Sequence, residues 1–184
     1  MKKRLLTLIL SIIKNLLLIL LATLFVACNE GARHDDGSLK YITVDFSKES
    51  SKERFAVNNS DGTLLFSCKC AHGKGGKSTR KTPEFSNKIG SKCSCLGKFE
   101  IVGMHSRNGI NYLELKGLDS SNSNARVRGI CIHNSKLVTL WQYIPFFNIP
   151  LSNASEGCFA IDNDSMDKLI ELYKNHKLKY LVAL

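Results

Sequence analysis

The chain has 184 residues, 26 of them Lys or Arg against 16 Asp or Glu, for a formal net charge of +10. That length holds one domain with a real core and little else. The basic residues are dispersed and no aromatic-basic stripe runs among them, so the charge does not read as a nucleic-acid surface.

Lys2, Lys3 and Arg4 precede an apolar run from Leu5 to Ile13, a polar break at Lys14-Asn15 and a second run from Leu16 to Ala27. This layout reads as a secretory signal over residues 1–27. Its end, Phe25-Val26-Ala27-Cys28, is similar to a bacterial lipobox, in which Cys28 becomes the acylated first residue. Phe25 stands where such motifs usually carry Leu. The competing reading is an uncleaved anchor, because the run nearly spans a bilayer once Lys14 is tolerated. On either reading the remainder is expected in the cell envelope, membrane-anchored and facing the periplasm. Without the leader, 22 basic and 16 acidic residues remain. A moderately basic surface of that kind suits an anionic envelope polymer or a carboxylate-bearing peptide.

Residues 28–40 are polar and glycine-containing, a short tether, and the domain is expected over 41–184. From Tyr41 the pattern alternates: Ile42, Val44 and Phe46 share one strand face. Arg54 to Asn58 reads as a second strand, Asn59 to Gly62 as its turn, and Thr63 to Ala71 as the returning strand. A basic flexible loop is expected from Gly73 to Thr82. Its Gly73-Lys-Gly-Gly-Lys-Ser78 lacks the first glycine of a phosphate loop, since position 71 is Ala71. Further strands are expected at Gly97 to Met104, Asn111 to Leu118 and Val127 to His133. Asp164 reads as the cap of a helix striped by Met166, Leu169, Ile170 and Tyr173, and Lys179 to Leu184 as a final strand. Many short strands with one late helix predict a mainly β sandwich or barrel with a short C-terminal helix.

The chain holds seven cysteines. Cys68 with Cys70, and Cys93 with Cys95, form two C-x-C pairs whose members share a strand face. Cross-linking disulfides, free buried thiols and a four-thiolate zinc site all remain open for them, and no connectivity follows from the sequence. The other two, Cys131 and Cys158, flank a chemical pattern. His133 ends the apolar run Gly129 to Asn134, and Cys158 lies 25 positions later in Ser155-Glu156-Gly157-Cys158-Phe159. A thiol attacks carbonyls as the thiolate, and a nearby imidazole is the usual base that makes one. The glycine before the sulfur lets the backbone bend so that adjacent N–H groups can face an oxyanion.

Several blocks in one order carry a resemblance beyond that pair. They are Thr63-Leu-Leu-Phe-Ser-Cys-Lys-Cys-Ala-His-Gly73, Phe85-Ser-Asn-Lys-Ile-Gly-Ser91, Leu96-Gly-Lys-Phe99, Leu113-Glu-Leu-Lys-Gly-Leu118, Asn124-Ala-Arg-Val-Arg128, Ile132-His133 and Ser155-Glu-Gly-Cys158. Together they resemble the L,D-transpeptidase superfamily, in the murein L,D-transpeptidase catalytic domain-like branch, from about Tyr41 to the C-terminus. The resemblance implies that Cys158 is the nucleophile and His133 its proton acceptor. It further implies an oxyanion hole from the N–H groups of Gly157 and Cys158, a loop-shaping hydrogen bond from Ser155, and an imidazole oriented by the carbonyl or side chain of Asn134. His72, Arg126 and Arg128 are candidate substrate contacts: His72 in the cleft, the two arginines alternating on one strand face toward substrate carboxylates.

The implied chemistry needs no metal or other cofactor. Cys158 attacks the carbonyl of the third residue of a peptidoglycan stem peptide and expels D-alanine. The thioester is then resolved by an amine, giving a cross-link, or by water, giving carboxypeptidase trimming. Relatives read Arg-Ser-x-Gly-Cys-Pro where this chain reads Ala154 to Phe159. The arginine is therefore missing, and Glu156 is expected to raise the thiol's pKa. That departure motivates a second reading, a non-catalytic lipoprotein of the same fold that binds peptidoglycan or a partner. A third is a cysteine protease acting on proteins. Cys131 shares its strand face with His133, so it is either a small apolar filler or a neighbour able to form an inactivating disulfide with Cys158.

Overall fold

A computed structural model gives the fold of residues 38–142 and 155–184, which belong to the unit Gly37–Leu184. The leader at 1–27, Cys28 and most of the tether lie outside the described residues.

Eight strands are described: β1 Lys40–Val44, β2 Glu53–Asn58, β3 Leu64–Lys69, β4 Gly97–Arg107, β5 Ile110–Gly117, β6 Cys131–Asn134, β7 Phe159–Ile161 and β8 Leu178–Ala183. They form one sheet in the order β3-β2-β1-β8-β4-β5-β6-β7. β1 with β8 and β6 with β7 are parallel; the other neighbours are antiparallel. The two edges do not stay apart. Just past β3, Ala71 donates to the carbonyl of Ala160 in β7 at 2.8 Å and accepts from its N–H at 3.4 Å. The sheet thus curls into a nearly closed barrel, satisfying backbone groups that an open edge would leave to solvent.

The alternation that marks β1 is realised: Lys40, Ile42 and Val44 point inward while Tyr41 and Thr43 are half-buried. β4 and β5 turn at Asn108-Gly109, where both residues have positive φ, 53° and 74°, as a two-residue hairpin loop requires. Inside the barrel Phe159 meets Phe99 edge-on at 5.6 Å and lies stacked 6.0 Å from Phe46. Burying one such side chain contributes roughly 1.5–3 kcal/mol, and this one anchors the residue after Cys158.

Some expectations shift. The strand expected over Val127 to His133 begins only at Cys131. Before it the chain winds into turns, with Arg128 N–H on the Asn124 carbonyl, Gly129 N–H on Arg126 and Ile130 N–H on Ala125. Local bonds of this kind compete with a ladder, so Arg126 and Arg128 do not alternate on a strand. The late helix, α2 Asn163–Lys174, buries Met166 and Leu169 as expected. Its cap, however, is Asp162, whose carboxylate accepts from Ser165 N–H at 2.8 Å; Asp164 sits in the first turn. The sequence reading has neither the short helix α1 Lys136–Gln142 nor β7. The loop after β3 is pinned rather than flexible at its start, for Gly73 and Gly75 are buried. A Cβ on Gly73 would lie 2.4 Å from the Lys92 carbonyl and 2.8 Å from the Gly157 Cα.

Candidate active site

β6 and β7 run parallel with Ile132 opposite Phe159 and His133 opposite Ala160. One step earlier the same register sets Cys131 against Cys158. Residues two apart on a strand share a face, so Cys131, His133 and Cys158 converge. The two sulfurs are 3.5 Å apart, and the imidazole of His133 lies near enough to Cys158 for each to shift the other's pKa. His133 Nδ1 donates to the Asn134 carbonyl at 3.0 Å. That bond fixes the ring and leaves Nε2 for the thiol. The Asn134 side chain turns away, accepting from Asn111 N–H at 2.7 Å and donating to Asn163 Oδ1 at 2.9 Å.

Two thiols this close do not both ionise. The Cys131 S–H donates to Cys158 and is the largest cause holding the Cys158 pKa well below its usual value; burial opposes it, and His133 together with the Cys131 backbone N–H add to it. Cys131 is pushed up correspondingly, first by that hydrogen bond and then by burial. Burial works against charge on His133, yet Cys158 and the bond to the Asn134 carbonyl outweigh this and the net shift is upward. The arrangement stabilises a thiolate–imidazolium pair.

The nucleophile turn is built by hydroxyls. Ser155 Oγ donates to the Cys158 carbonyl at 2.7 Å and accepts from Gly157 N–H at 3.2 Å. The loop-shaping bond expected of Ser155 is therefore present, but it occupies the Gly157 N–H expected to line an oxyanion hole. Gly157 serves by conformation: its φ is +123°, and a Cβ there would lie 2.7 Å from the Cys93 carbonyl and 2.8 Å from Ile130 Cδ1. Ser94, which the sequence reading passed over between two cysteines, ties the turn to the loop after β3. Its Oγ donates to the Gly157 carbonyl at 3.1 Å and accepts from Gly73 N–H at 3.0 Å.

The remaining candidates scatter. His72 is fully buried. Its Nδ1 accepts from Arg54 Nη2 at 2.7 Å and its Nε2 donates to the Thr79 carbonyl at 2.9 Å. It is a neutral pin under the loop rather than a cleft residue, with its pKa lowered to about 4, chiefly by burial and then by Arg54. Arg54, which the sequence reading did not single out, also donates to the carbonyls of Cys70 at 2.9 Å and Lys48 at 3.2 Å. Arg128 braces the turn from below, donating to the Ser86 carbonyl at 2.7 Å and to that of Cys93. Arg126 is exposed. It lines a cavity of about 250 Å³ with His105, Glu114, Gly129 and Cys131, and a second cavity of about 410 Å³ is lined by His133 with Asn108 and Lys136. Glu156 points outward to Lys74 at 2.9 Å and Lys92 at 3.0 Å. The Cys158 thiol is held low by Cys131 and His133, so no net rise in its pKa occurs.

Among the described residues all six cysteines are free, and no group of three or more His, Cys, Asp or Glu could hold a metal. Cys68 and Cys70 are core thiols raised mainly by burial, Cys70 to about 12.

A thiol and an imidazole thus stand on neighbouring parallel strands of a nearly closed barrel. The chain belongs to the L,D-transpeptidase catalytic domain family, which it matches over residues 17–182. Among solved structures it is similar to the L,D-transpeptidase (residues 123-326) from Xylanimonas cellulosilytica DSM 15894. The identity is 17% and the TM-score 0.45, over 82% of this chain and 62% of that one. A search of the curated proteins found no match.

Proposed function

We propose that the protein is a cell-wall L,D-transpeptidase acting on peptidoglycan stem peptides through a thioester on Cys158. The observation that carries this reading is the β6–β7 register, which sets the Cys158 thiol against an imidazole whose other nitrogen is held by the Asn134 carbonyl.

In the proposed cycle the Cys158 thiolate attacks the carbonyl of the third stem residue, forming an S–C bond. The C–N bond to the terminal D-alanine then breaks, and the imidazolium of His133 delivers the proton that the departing amine needs. An amine from a second stem attacks the thioester, His133 takes its proton, and the S–C bond opens to release the cross-link. Water in place of that amine gives a trimmed tripeptide. Two nearby cavities, one lined by Cys131 with Arg126 and one by His133 with Lys136, are the proposed places for carboxylate-bearing peptides. The N-terminal segment is proposed to anchor the protein to a membrane through Cys28, with the domain facing the periplasm.

The test is mass spectrometry of purified disaccharide-tetrapeptides incubated with reduced protein beside Cys158→Ala. Loss of D-alanine that needs Cys158 is the expected result, with dimers marking transpeptidation and tripeptides alone marking carboxypeptidation. A folded wild-type protein that leaves the substrate unchanged overturns the reading in favour of a non-catalytic binding protein.

A further inference from the structure

We propose that Cys131 is a resolving thiol: a hydroperoxide oxidises Cys158, and Cys131 captures the product as a Cys131–Cys158 disulfide that dithiol reductants reverse. The inference rests on the same poised thiol as the proposed function, but not on peptidoglycan being its substrate.

Four observations carry it. The sulfurs are 3.5 Å apart, and a disulfide closes this to about 2.05 Å. The residues face each other one step beyond an in-register parallel ladder, and neighbouring strands lie about 4.8 Å apart, within the Cα separation of roughly 4.4–6.8 Å that a disulfide spans. Rotation about two Cα–Cβ bonds therefore closes the link without moving the barrel. The exposures differ in the required sense: Cys131 is only 7% exposed while Cys158 reaches solvent, so the oxidant meets Cys158 first. Both sulfurs also lie against the Gly129 carbonyl, at 3.4 and 3.5 Å, which holds them on one side of the turn.

The chemistry balances with a hydroperoxide as oxidant. The Cys158 thiolate attacks the peroxide oxygen, an S–O bond forms as O–O breaks, and hydroxide or alkoxide leaves with a proton, giving the sulfenic acid. While Cys158 is a thiolate, its charge keeps Cys131 protonated. The sulfenic acid is neutral, so that repulsion ends. Cys131 then loses its proton and attacks the Cys158 sulfur, S–S forms, S–O breaks and water leaves. Two thiols have lost two electrons in all, and the peroxide has been reduced. A disulfide returns to thiols by exchange, whereas sulfinic acid does not. Cys131 thus shields the nucleophile from irreversible oxidation and stores it in an inactive form.

The experiment treats the reduced full chain with equimolar hydrogen peroxide, denatures it in alkylating agent and maps peptides without reduction. The wild type is expected to yield a linked Cys131–Cys158 peptide, with Cys68, Cys70, Cys93 and Cys95 alkylated and nearly full recovery of the Cys158 thiol by dithiothreitol. With peroxide raised above the two equivalents per thiol that sulfinic acid consumes, recovery in Cys131→Ser is expected to fall to near nil as Cys158 proceeds to sulfinic acid, while the wild type at the same dose keeps most of its recoverable thiol. The proposal is overturned by a Cys158–Cys95 link, by wild-type sulfinic acid with Cys131 still alkylated, or by no oxidation at Cys158. The wild-type map decides the matter even where Cys131→Ser does not fold. It is read independently of D-alanine release, so a disulfide without stem-peptide activity would sink the substrate and spare the switch.

Discussion

Acidification should loosen the fold through one buried histidine, and the size of the effect follows from its surroundings. His72 accepts from Arg54 on one nitrogen and donates to Thr79 on the other, so a second proton would displace the Arg54 bond and place two cations together. Its pKa falls from the ordinary 6.5 to about 4. Between those values the unfolded chain binds a proton at residue 72 that the folded chain does not, so stability falls as pH falls. The contribution is whole above the unfolded value, declines through the window and is lost below the folded one. A displacement of that size corresponds to about 3 kcal/mol in all. Urea denaturation at steps from about pH 7 to pH 4 would measure it in wild type and in His72→Asn, which keeps an acceptor for Arg54 but cannot titrate. Every other titrating group is common to both, so the difference in slope belongs to His72. The wild type should lose about 3 kcal/mol more than the variant across the window. Equal slopes would refute the assignment of a neutral buried His72. Because Gly73 follows and ties to Ser94 and thence to Gly157, Cys158 should become less selectively alkylated over the same range.

Three further outcomes are expected. Gly157→Ala forces a Cβ to within 2.7 Å of the Cys93 carbonyl at a φ of +123°; it should cost about 1–3 kcal/mol by chemical denaturation and most of the activity, and a stable, active variant would contradict the tight turn. His133→Asn should raise the Cys158 pKa and slow its alkylation by iodoacetamide at neutral pH by about 10-fold or more; an unchanged pH profile would mean that the imidazole does not stabilise the thiolate. Glu156→Gln, which removes only an exposed pairing with Lys74 and Lys92, should leave both the melting temperature and that alkylation rate unchanged, since exposed pairs contribute little.

The elements legible in the sequence are those whose pattern is local. Alternation over Ile42, Val44 and Phe46 and the stripe of Met166 and Leu169 follow from side chains repeating at the period of a strand or helix, and the structure keeps both. Elements too short to show a period escape: β7 is three residues, and its strand character comes from the partner β6. The turn at Asn124 to Ile130 looks extended by composition, but its own N–H groups find carbonyls nearby.

The sequence by itself determined that a reactive-type cysteine and a histidine stand in family-like blocks, and that Cys131 and His133 share a face, because strand geometry repeats every two residues. Only the tertiary structure decided that Cys131 and Cys158 meet, since that rests on which strands lie side by side and in what register. It also decided that Glu156 turns out to two lysines and that His72 turns in to Arg54. A charge or a proton is set by the groups folded around it, and those come from Arg54, Lys74 and Lys92, residues that no local pattern connects.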